Sequence, residues 1–288
     1  MKPTSLIIGL LLLVLIISNV HAQSNNHSDR EYWGVTNNVV SIHETWYNVV
    51  KNGEQLTKGN KISDKLEIES KVTFDDKGNK IEDVRYDMSG KPSFKLTYTY
   101  DEKMNRTAEY RYNMDGSLAH QTNFSYKYNS SGKIMEVDNL NEHDSINGRT
   151  IYKYDTKGNL AEKEWFNIGG TSKMKIVFVC NDKENITEET VYNAKGKIDW
   201  KYTYVLNEAG KTIEETTFKN GAKFFGKYSY AYDNKGNKSE MHWFKKNDKP
   251  HMNWTYKYDY DSRGNWTKQI QYNGEKPISI TERVIQYI

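Results

Sequence analysis

Six glutamates recur along the chain at repeated intervals, and their carboxylates are the first groups that could do chemistry. They are Glu82, Glu136, Glu162, Glu188, Glu214 and Glu240. Paired carboxylates can act as the acid and base of a glycosidase, and several together can bind cations. In a sheet of repeated hairpins, however, successive members would lie two strands apart, at roughly 9–10 Å, with lysine-bearing strands between them. The pattern therefore favours a structural role in cross-strand pairing.

Histidine and cysteine provide no ligand set for a metal. None of the seven histidines lies at a ligand spacing from another histidine or from the single cysteine, Cys180. Glu142, His143 and Asp144 are adjacent, but they precede an Asn-Gly pair that is typical of a solvated loop. The sequence also lacks nucleophile-elbow, phosphate-loop and dinucleotide motifs. We therefore predict no catalytic residue, no metal and no cofactor, and we do not expect an enzyme.

Tryptophans are the stronger candidates for a binding role. Trp165 and Trp243 occupy the same position in two repeats, 78 residues apart, and Trp200 and Trp254 begin tyrosine-rich segments. Flat aromatic rings on a solvated sheet can stack on sugar rings or contact a partner protein. The alternative is that they pack against a twisted sheet. We predict these four tryptophans as binding residues.

The elements that position these side chains follow from an internal repeat. The motif Tyr-Asp-x-x-Gly-Asn occurs three times, at 154–159, 232–237 and 260–265, and a variant begins with Phe74. Degenerate copies begin at Tyr100, Tyr128, Cys180 and Leu206, so the eight copies are separated by 26 or 28 residues. Asp or Asn opens a type I turn, and Gly takes the left-handed position that follows. Between the turns, alternating polar and aromatic or β-branched residues predict strands.

The predicted fold is all-β. We expect an antiparallel β-meander of about 16 short strands in eight two-hairpin repeats, arranged as an elongated twisted sheet or partial spiral. Neither face of the predicted strands is cleanly apolar, which argues against a sandwich.

The turn geometry also predicts a register for the tyrosines. If each Asp faces the Asn that closes its turn, a tyrosine column lies directly opposite the glutamates, pairing Tyr152 with Glu162, Tyr204 with Glu214, and Tyr230 with Glu240. In this register Trp165 and Trp243 lie on the face opposite these pairs, and Trp200 and Trp254 lie on the other face.

The ends of the chain differ from the repeats. Residues 1–22 combine Lys2, an apolar run and small residues up to Ala22, which predicts a secretory signal peptide cleaved near Ala22. A transmembrane anchor is the alternative, but the apolar run is shorter than the roughly 20 residues of a spanning helix. Residues 23–70 are predicted to form an N-terminal cap with one or two strands, of which 39–50 is one and the polar stretch from Gln55 is a connection. Residues 71–288 form the array with its closing strand, and we expect a secreted, periplasmic or cell-surface protein without a membrane span after cleavage.

Composition excludes some classes of partner. The 288 residues carry 41 Lys and Arg against 38 Asp and Glu, a formal net charge of +3. This near balance gives no basis for nucleic-acid binding. The hydrophobic fraction of 36% is low, whereas 22 tyrosines make the chain too aromatic for a disordered protein.

The Tyr-Asp-x-x-Gly-Asn hairpins resemble the YD, or RHS, repeats of bacterial secreted and surface proteins. The resemblance covers about residues 70 to 275. In large members of that family the repeats wind into a spiral shell around a toxin, and relatives have been described as carbohydrate-binding or adhesive. This chain departs from them, because it contains no Asp-Pro dipeptide of the shell-closing core motif. The resemblance implies a small secreted array-only member without a toxin domain.

Four alternatives remain open at this point. The leading prediction is a non-enzymatic protein that binds a glycan or a surface protein through an extended aromatic sheet surface. A passive surface scaffold, or a fragment of a toxin-associated shell, is the alternative. A glycosidase using the glutamates is less favoured. An outer-membrane barrel is also less favoured, since it needs a continuous apolar band and both predicted faces carry charge.

Overall fold

A computed structural model describes residues 28–35, 38–62, 69–245 and 250–288. The predicted signal peptide, residues 1–22, lies outside these described residues. The first element is a single helical turn, α1 (Asp29–Tyr32), which begins at a capping box: Ser28 accepts a hydrogen bond from the Glu31 amide, and the Glu31 carboxylate accepts one from the Ser28 amide.

Nineteen strands follow within the described residues. They are β1 (Val39–Asn52), β2 (Gln55–Lys61), β3 (Ser70–Phe74), β4 (Lys80–Tyr86), β5 (Pro92–Tyr100), β6 (Arg106–Asn113), β7 (Leu118–Tyr128), β8 (Ile134–Leu140), β9 (Ile146–Tyr154), β10 (Leu160–Asn167), β11 (Ser172–Cys180), β12 (Ile186–Asn193), β13 (Ile198–Leu206), β14 (Thr212–Lys219), β15 (Lys223–Tyr232), β16 (Lys238–Phe244), β17 (Pro250–Tyr260), β18 (Trp266–Asn273) and β19 (Lys276–Tyr287).

The repeated turns form as their composition predicts. In the turn between β9 and β10, the Asp155 carboxylate accepts hydrogen bonds from the amides of Lys157 and Asn159, at 2.9 and 2.8 Å. Gly158 adopts φ +87°, and its amide bonds back to the Asp155 carbonyl at 3.0 Å. Only glycine reaches this left-handed conformation without a steric penalty from Cβ. The motif is therefore a hairpin turn.

The strands close into a barrel, and the predicted open sheet or partial spiral of about 16 strands is wrong. Strands β3 to β19 form a continuous antiparallel meander. Strand β1 then pairs with β19 on one side and with β3 on the other, for example Glu44 with Arg283 and Ile42 with Val72. The closed ring contains 18 strands, β1 and β3–β19. Closure satisfies both edges of the meander, which would otherwise expose unpaired backbone groups.

Strand β2 lies outside this ring. It forms a hairpin with the end of β1, pairing Asn52 with Gln55 and Val50 with Thr57. The prediction of a polar connection from Gln55 was therefore wrong, because the Asn52 to Gln55 turn reverses the chain and brings these polar residues into register with β1. β2 and β3 border β1 on the same side, with residues 63–68 of the intervening segment outside the described residues.

A bulge beside each turn shifts the predicted tyrosine register by one residue. Tyr154 pairs with Leu160 as predicted, but Ala161 is an extra residue, so Tyr152 pairs with Lys163 and Lys153 pairs with Glu162. The predicted Tyr152–Glu162, Tyr204–Glu214 and Tyr230–Glu240 pairs are wrong for this reason. Tyr204 instead pairs with Glu215, and Tyr230 with Met241. A one-residue bulge moves every following side chain to the other face.

The two faces of the ring differ in burial and charge. One face, which we call the inner wall, holds most of the buried strand residues, including Val137, Tyr152, Ile176, Phe178, Val191, Tyr202 and Trp243. The opposite face, which we call the outer wall, holds the recurring glutamates and their lysine partners. Side chains converge on the concave side of a closed sheet and diverge on its convex side, so the more buried face is the concave one.

The segment before β1 packs against the inner wall where the ring closes. The Arg30 side chain donates to the Asp75 carbonyl at 2.5 Å, and Asp29 accepts hydrogen bonds from the Lys80 amide and the Tyr100 hydroxyl. Near β1 and β3, one apolar cluster joins this segment to the seam: Val35, Val39, Ile42, Val72 and Phe74, with Trp33, Ile285 and Tyr287 packed against it. This segment therefore adds apolar and polar contacts to the closing strands.

Candidate functional site: the aromatic inner wall

In the repeats whose turn motif begins with tyrosine, an inner-wall tyrosine bonds to the repeat before it, whereas Cys180 and Leu206 fill the motif position in two other repeats. The Tyr154 hydroxyl donates to the backbone carbonyl of Ile134, 20 residues earlier, at 2.8 Å. Tyr100 and Tyr232 make the equivalent bonds to Lys80 and Thr212, at 2.8 and 2.7 Å. These tyrosines open the turn motif of a repeat that is 26 residues long. Their role is thus structural, and the bond explains the tyrosine at this position.

In the two 28-residue repeats a different tyrosine makes this bond. Tyr126 and Tyr258, two residues before the motif, donate to the carbonyls of Arg106 and Lys238, at 2.6 and 2.7 Å. The motif tyrosines Tyr128 and Tyr260 instead accept hydrogen bonds from asparagines of the preceding turn, both at 2.9 Å. An insertion of two residues preserves the face of a strand, so the tyrosine two positions earlier takes over the same acceptor.

Two buried carboxyl groups flank Tyr204 on the inner wall. Glu189, 1% exposed, pairs across β12 and β13 with Tyr202, and Glu215 pairs with Tyr204 from β14. Burial raises the pKa of Glu189 to about 7, and the nearby Glu215 carboxylate adds to the shift. Burial also raises the pKa of Glu215, and a hydrogen bond from the Tyr230 hydroxyl acts in the opposite direction by lowering it. Burial thus shifts both groups toward the neutral form relative to an exposed glutamate.

Lys163 lies on the same wall, on β10. It pairs with Tyr152 on β9 and with Ile176 on β11, and its ammonium stands 5.6 Å from the centre of the Tyr152 ring. Burial lowers the pKa of Lys163 to about 8, and no neighbouring carboxylate offsets this effect. A desolvated ammonium is costly unless an anion compensates it, so this side chain is a candidate for ligand binding.

The four predicted tryptophans all lie on the inner wall, contrary to the predicted division between two faces. Trp165 follows Lys163 by two residues and pairs with Thr150 and Met174, and its indole is 43% exposed. Trp243 is only 7% exposed, because Tyr228 stacks on it at 6.1 Å and His251 meets its face at 5.0 Å. Of these two tryptophans, which hold the same position in their repeats, only Trp165 exposes its ring to solvent.

Trp200 and Trp254 are half-buried on β13 and β17. Phe225 meets Trp200 edge to face at 5.1 Å, and the Lys219 ammonium lies 5.9 Å from its ring. Trp254 pairs with Met241 and Asn273. The four rings are thus spread along the wall on β10, β13, β16 and β17 and do not converge on one point.

The recurring glutamates lie on the outer wall, where five of the six have a lysine neighbour and Glu240 lies beside the His242 imidazole. Glu162 contacts Lys153 at 2.5 Å, and Glu214 contacts Lys227 at 3.1 Å. The other pairs are Glu82 with Lys95, Glu136 with Lys127, Glu188 with Lys201, and Glu240 with His242. Neutralised, solvated pairs of this kind are poor candidates for acid–base catalysis and stabilise the sheet only modestly.

The other titratable groups singled out from the sequence do not form a reactive centre. Burial raises the pKa of the Cys180 thiol, which disfavours the nucleophilic thiolate. His143 lies in an exposed turn, 3.8 Å from the Glu142 carboxylate. Within the part of the chain that the structure describes, no group of three or more His, Cys, Asp or Glu residues could hold a metal ion.

Sequence reasoning singled out the tryptophans as candidates, and that assignment stays a prediction, but it did not single out Lys163, Glu189 or Glu215. The glutamates of the outer wall stood out because they recur in six repeats. The residue after each of them faces the inner wall and varies from repeat to repeat, being Lys163, Glu189, Glu215 and Met241 in successive units. Variation at a fixed repeat position, together with the bulge, was the signal that could have revealed them.

Comparisons with known proteins assign no family. No family model and no curated protein sequence matches the chain. Among solved structures, a porin-like protein from Bacteroides uniformis is similar with a TM-score of 0.41 and 10% identity, over 88% of this chain and 98% of that one. A porin-like protein from Bacteroides vulgatus gives 0.32 and 10%, over 87% and 98%.

A third similar structure is the TcdB2–TccC3–Cdc42 complex, with a TM-score of 0.37 and 10% identity. The match covers 86% of this chain and 16% of that one. All these TM-scores lie below 0.5, so no property of these proteins transfers to this chain. The resemblance of the hairpins to YD or RHS repeats has no matching family model. Among the described residues, no helix has the length and apolar character needed to cross a membrane.

Proposed function

We propose that the protein is a non-enzymatic secreted or cell-envelope barrel that binds a saccharide on its inner wall. The observation that carries this proposal is the exposed indole of Trp165 on a concave wall built from aromatic and titratable side chains. Concave surfaces rich in aromatic rings, with a few polar groups, are typical ligand sites. The aromatic surface predicted from the sequence is thus assigned to the inside of a ring.

A saccharide suits this wall better than a flat protein surface does. The apolar face of a sugar ring can stack on an indole, and the hydroxyls of the sugar find donors and acceptors on neighbouring strands. Thr150 on β9 lies directly beside Trp165, and Asn139 lies on the same face of β8. A protein partner would need a continuous accessible surface of about 800 Å² on each side, and it would have to enter the ring to reach Trp165.

The placement outside the cytoplasm rests on the pattern of residues 1–22 and on the outer wall. Paired Lys and Glu side chains on the convex face, such as Lys153 with Glu162, suit an aqueous surrounding. We propose that the signal is cleaved near Ala22. N-terminal sequencing of the exported protein tests this, and a retained N-terminus would contradict it.

Glycan arrays test the binding proposal. We expect the purified protein to bind one class of glycan, and Trp165→Ala to weaken that binding at least tenfold because the stacking surface is lost. Val179→Ala is the matched control, since this exposed residue lies on the outer wall of the neighbouring strand. The proposal fails if the unmodified protein binds no glycan, or if Trp165→Ala binds as well as it does.

A passive scaffold is the second candidate, and ring closure favours it. Strand β1 covers the edges of both β3 and β19, so the meander has no free end from which to polymerise. A scaffold of this kind needs no ligand. Recovery of a stoichiometric saccharide with the purified protein would argue against it.

A further inference from the structure

Within the described residues, Lys163 differs from the other half-buried basic groups of the inner wall. Arg85 bonds to Asp83, Arg106 to Glu109 and Arg283 to Glu44, at 2.7, 3.1 and 2.6 Å. The Glu215 charge partly offsets the desolvation of Lys238. Within the described residues, by contrast, no carboxylate lies within ion-pair distance of the Lys163 ammonium. The ammonium lies over the face of the Tyr152 ring.

The surroundings of Lys163 give no internal compensation for this charge. Its cross-strand neighbours on the inner wall are Tyr152 and Ile176, of which the first is 8% exposed and the second 1% exposed. A buried ammonium beside an aromatic and an aliphatic side chain is held at a cost that a bound anion would offset. Lys163 is itself only half-buried, so a ligand can reach it.

Trp165 is the nearest large exposed surface on the same strand. Residues two apart on a strand share a face and lie about 6.6–7 Å apart, close to the width of one sugar ring with its substituent. Gly148 on β9 lies beside the indole, and a Cβ there would stand 3.5 Å from its Nε1, in ordinary van der Waals contact. A ring stacked on Trp165 thus places a carboxylate substituent within reach of Lys163.

We infer that Lys163 and Trp165 form a subsite for a carboxylate-bearing sugar, that is, a uronic acid residue of an acidic saccharide. The indole of Trp165 stacks on the ring, and the Lys163 ammonium donates to the carboxylate. A single ammonium matches the single negative charge of a uronate. This inference rests on the proposed function, which it narrows to one class of ligand.

The test compares trigalacturonic acid with its methyl ester, which has the same ring and hydroxyls but no charge. By calorimetry, we expect the unmodified protein to bind the acid about 10- to 100-fold more tightly than the ester. Lys163→Gln should remove this preference by weakening binding of the acid to the level of the ester, whereas Lys163→Arg should restore part of the preference. Lys153→Gln, one strand away on the outer wall, is the control and should change neither affinity.

Two further readouts separate the subsite from a general loss of structure. Near-ultraviolet circular dichroism, which reports the packing of the aromatic rings, should be the same for Lys163→Gln and the unmodified protein. The substitution removes a charge that is costly to desolvate and so should not disturb this packing. Binding of the acid should decline as the pH rises above about 8, where Lys163 loses its proton, and binding of the ester should not. Both results support the assignment of Lys163.

Each contrary result has a defined meaning. Equal binding of the acid and the ester, or a preference that survives Lys163→Gln, overturns the inference and leaves the proposed function standing. Competition by acetate at the concentration of the trisaccharide overturns the sugar specificity of the subsite. Binding of neither trisaccharide overturns the inference, and if glycan arrays are also blank the proposed function fails with it.

Discussion

At the scale of single residues, the tyrosines make two kinds of contact, one through the hydroxyl and one through the ring. Those that donate to a carbonyl 20 residues earlier, such as Tyr154 to Ile134, join neighbouring repeats. Other rings accept a lysine or arginine over their face, as Tyr128 accepts Lys103 at 3.9 Å. The sequence predicted the tyrosine column by its spacing. It did not predict the acceptors, because these are backbone atoms whose position depends on the bulge.

The hydroxyl bond of Tyr154 can be removed without changing the ring. We expect Tyr154→Phe to lower the free energy of unfolding by about 0.5–1.5 kcal/mol, because the Ile134 carbonyl loses its side-chain donor. Equilibrium denaturation in urea measures this. Tyr192→Phe is the control. Tyr192 lies on the outer wall with the Lys175 ammonium over its ring, and this contact involves the ring and not the hydroxyl. Equal effects of the two substitutions would contradict the assigned role.

Glu189 makes the stability of the protein depend on pH. Its pKa is about 7 in the folded protein against 4.5 for an unperturbed glutamate. Between these values the folded state holds a proton that the unfolded chain releases, so the free energy of unfolding falls as the pH rises through this window, by up to about 3 kcal/mol. We therefore expect Glu189→Gln to be more stable than the unmodified protein at pH 8, by about 1–3 kcal/mol, with a flatter profile.

The control for Glu189 is the residue beside it. Glu188→Gln removes an outer-wall carboxylate that contacts Lys201 at 2.8 Å. It should change stability by less than about 0.5 kcal/mol and preserve the pH profile. Thermal unfolding followed at pH 5, 6, 7 and 8 measures both variants. An unchanged profile for Glu189→Gln would show that the pH dependence lies elsewhere.

At the scale of elements, the turns were predictable and their consequences for register were not. The Asp, Gly and Asn positions predicted hairpins, and these formed. The extra residue beside each turn, Ala161 in the hairpin of β9 and β10, has no composition signal of its own. This extra residue places the recurring glutamates and Trp165 on the faces opposite to those that we predicted. Period-two reasoning is reliable only within an uninterrupted ladder.

Among the described turns, three carry a larger residue at the left-handed position that Gly158 takes in its turn. Met104, Asp144 and Glu184 adopt φ of 64°, 57° and 63°. A side chain in this conformation costs about 1 kcal/mol relative to glycine. We expect Glu184→Gly to raise the free energy of unfolding by about 0.5–1 kcal/mol. Lys183→Gly, one residue earlier in the same turn, should lower the free energy of unfolding. This substitution increases the conformational entropy of the unfolded chain without relieving strain in the folded one. Chemical denaturation distinguishes the two signs.

At the scale of the whole molecule, ring closure was the part of the fold that the sequence did not reveal. The closing strand β19 and a strand at 39–50 were both predicted and both formed. Their pairing was missed because it joins residues about 240 positions apart, and no local motif encodes it. The low hydrophobic fraction accompanies an inner wall that carries charged side chains, some of them paired, as Glu44 is with Arg283, and others, such as Lys163, without an ion pair among the described residues.

The seam between β1 and β19 contains one buried ion pair, which offers a test of closure. Glu44 accepts a hydrogen bond from Nε of Arg283 at 2.6 Å, and the guanidinium lies 3.5 Å from the centre of the Trp266 ring. Removing one partner of a buried pair leaves the other charge uncompensated, at a cost of about 3–5 kcal/mol. We expect Glu44→Ala to destabilise the protein by this amount, whereas Glu282→Ala, which removes an outer-wall pair with Lys58 on the same seam, should cost less than about 1 kcal/mol.

Hydrogen exchange locates the effect of Glu44→Ala. If the ring closes through β1, its amides and those of β3 and β19 should lose protection together, because β1 bonds to both strands. The amides of β11–β13, on another part of the ring, should keep theirs, since the cluster of Ile176, Phe178, Val191 and Tyr202 does not involve the seam. Uniform loss of protection around the ring would mean that the barrel unfolds as one unit. Unchanged protection at β3 and β19 would mean that β1 does not close it.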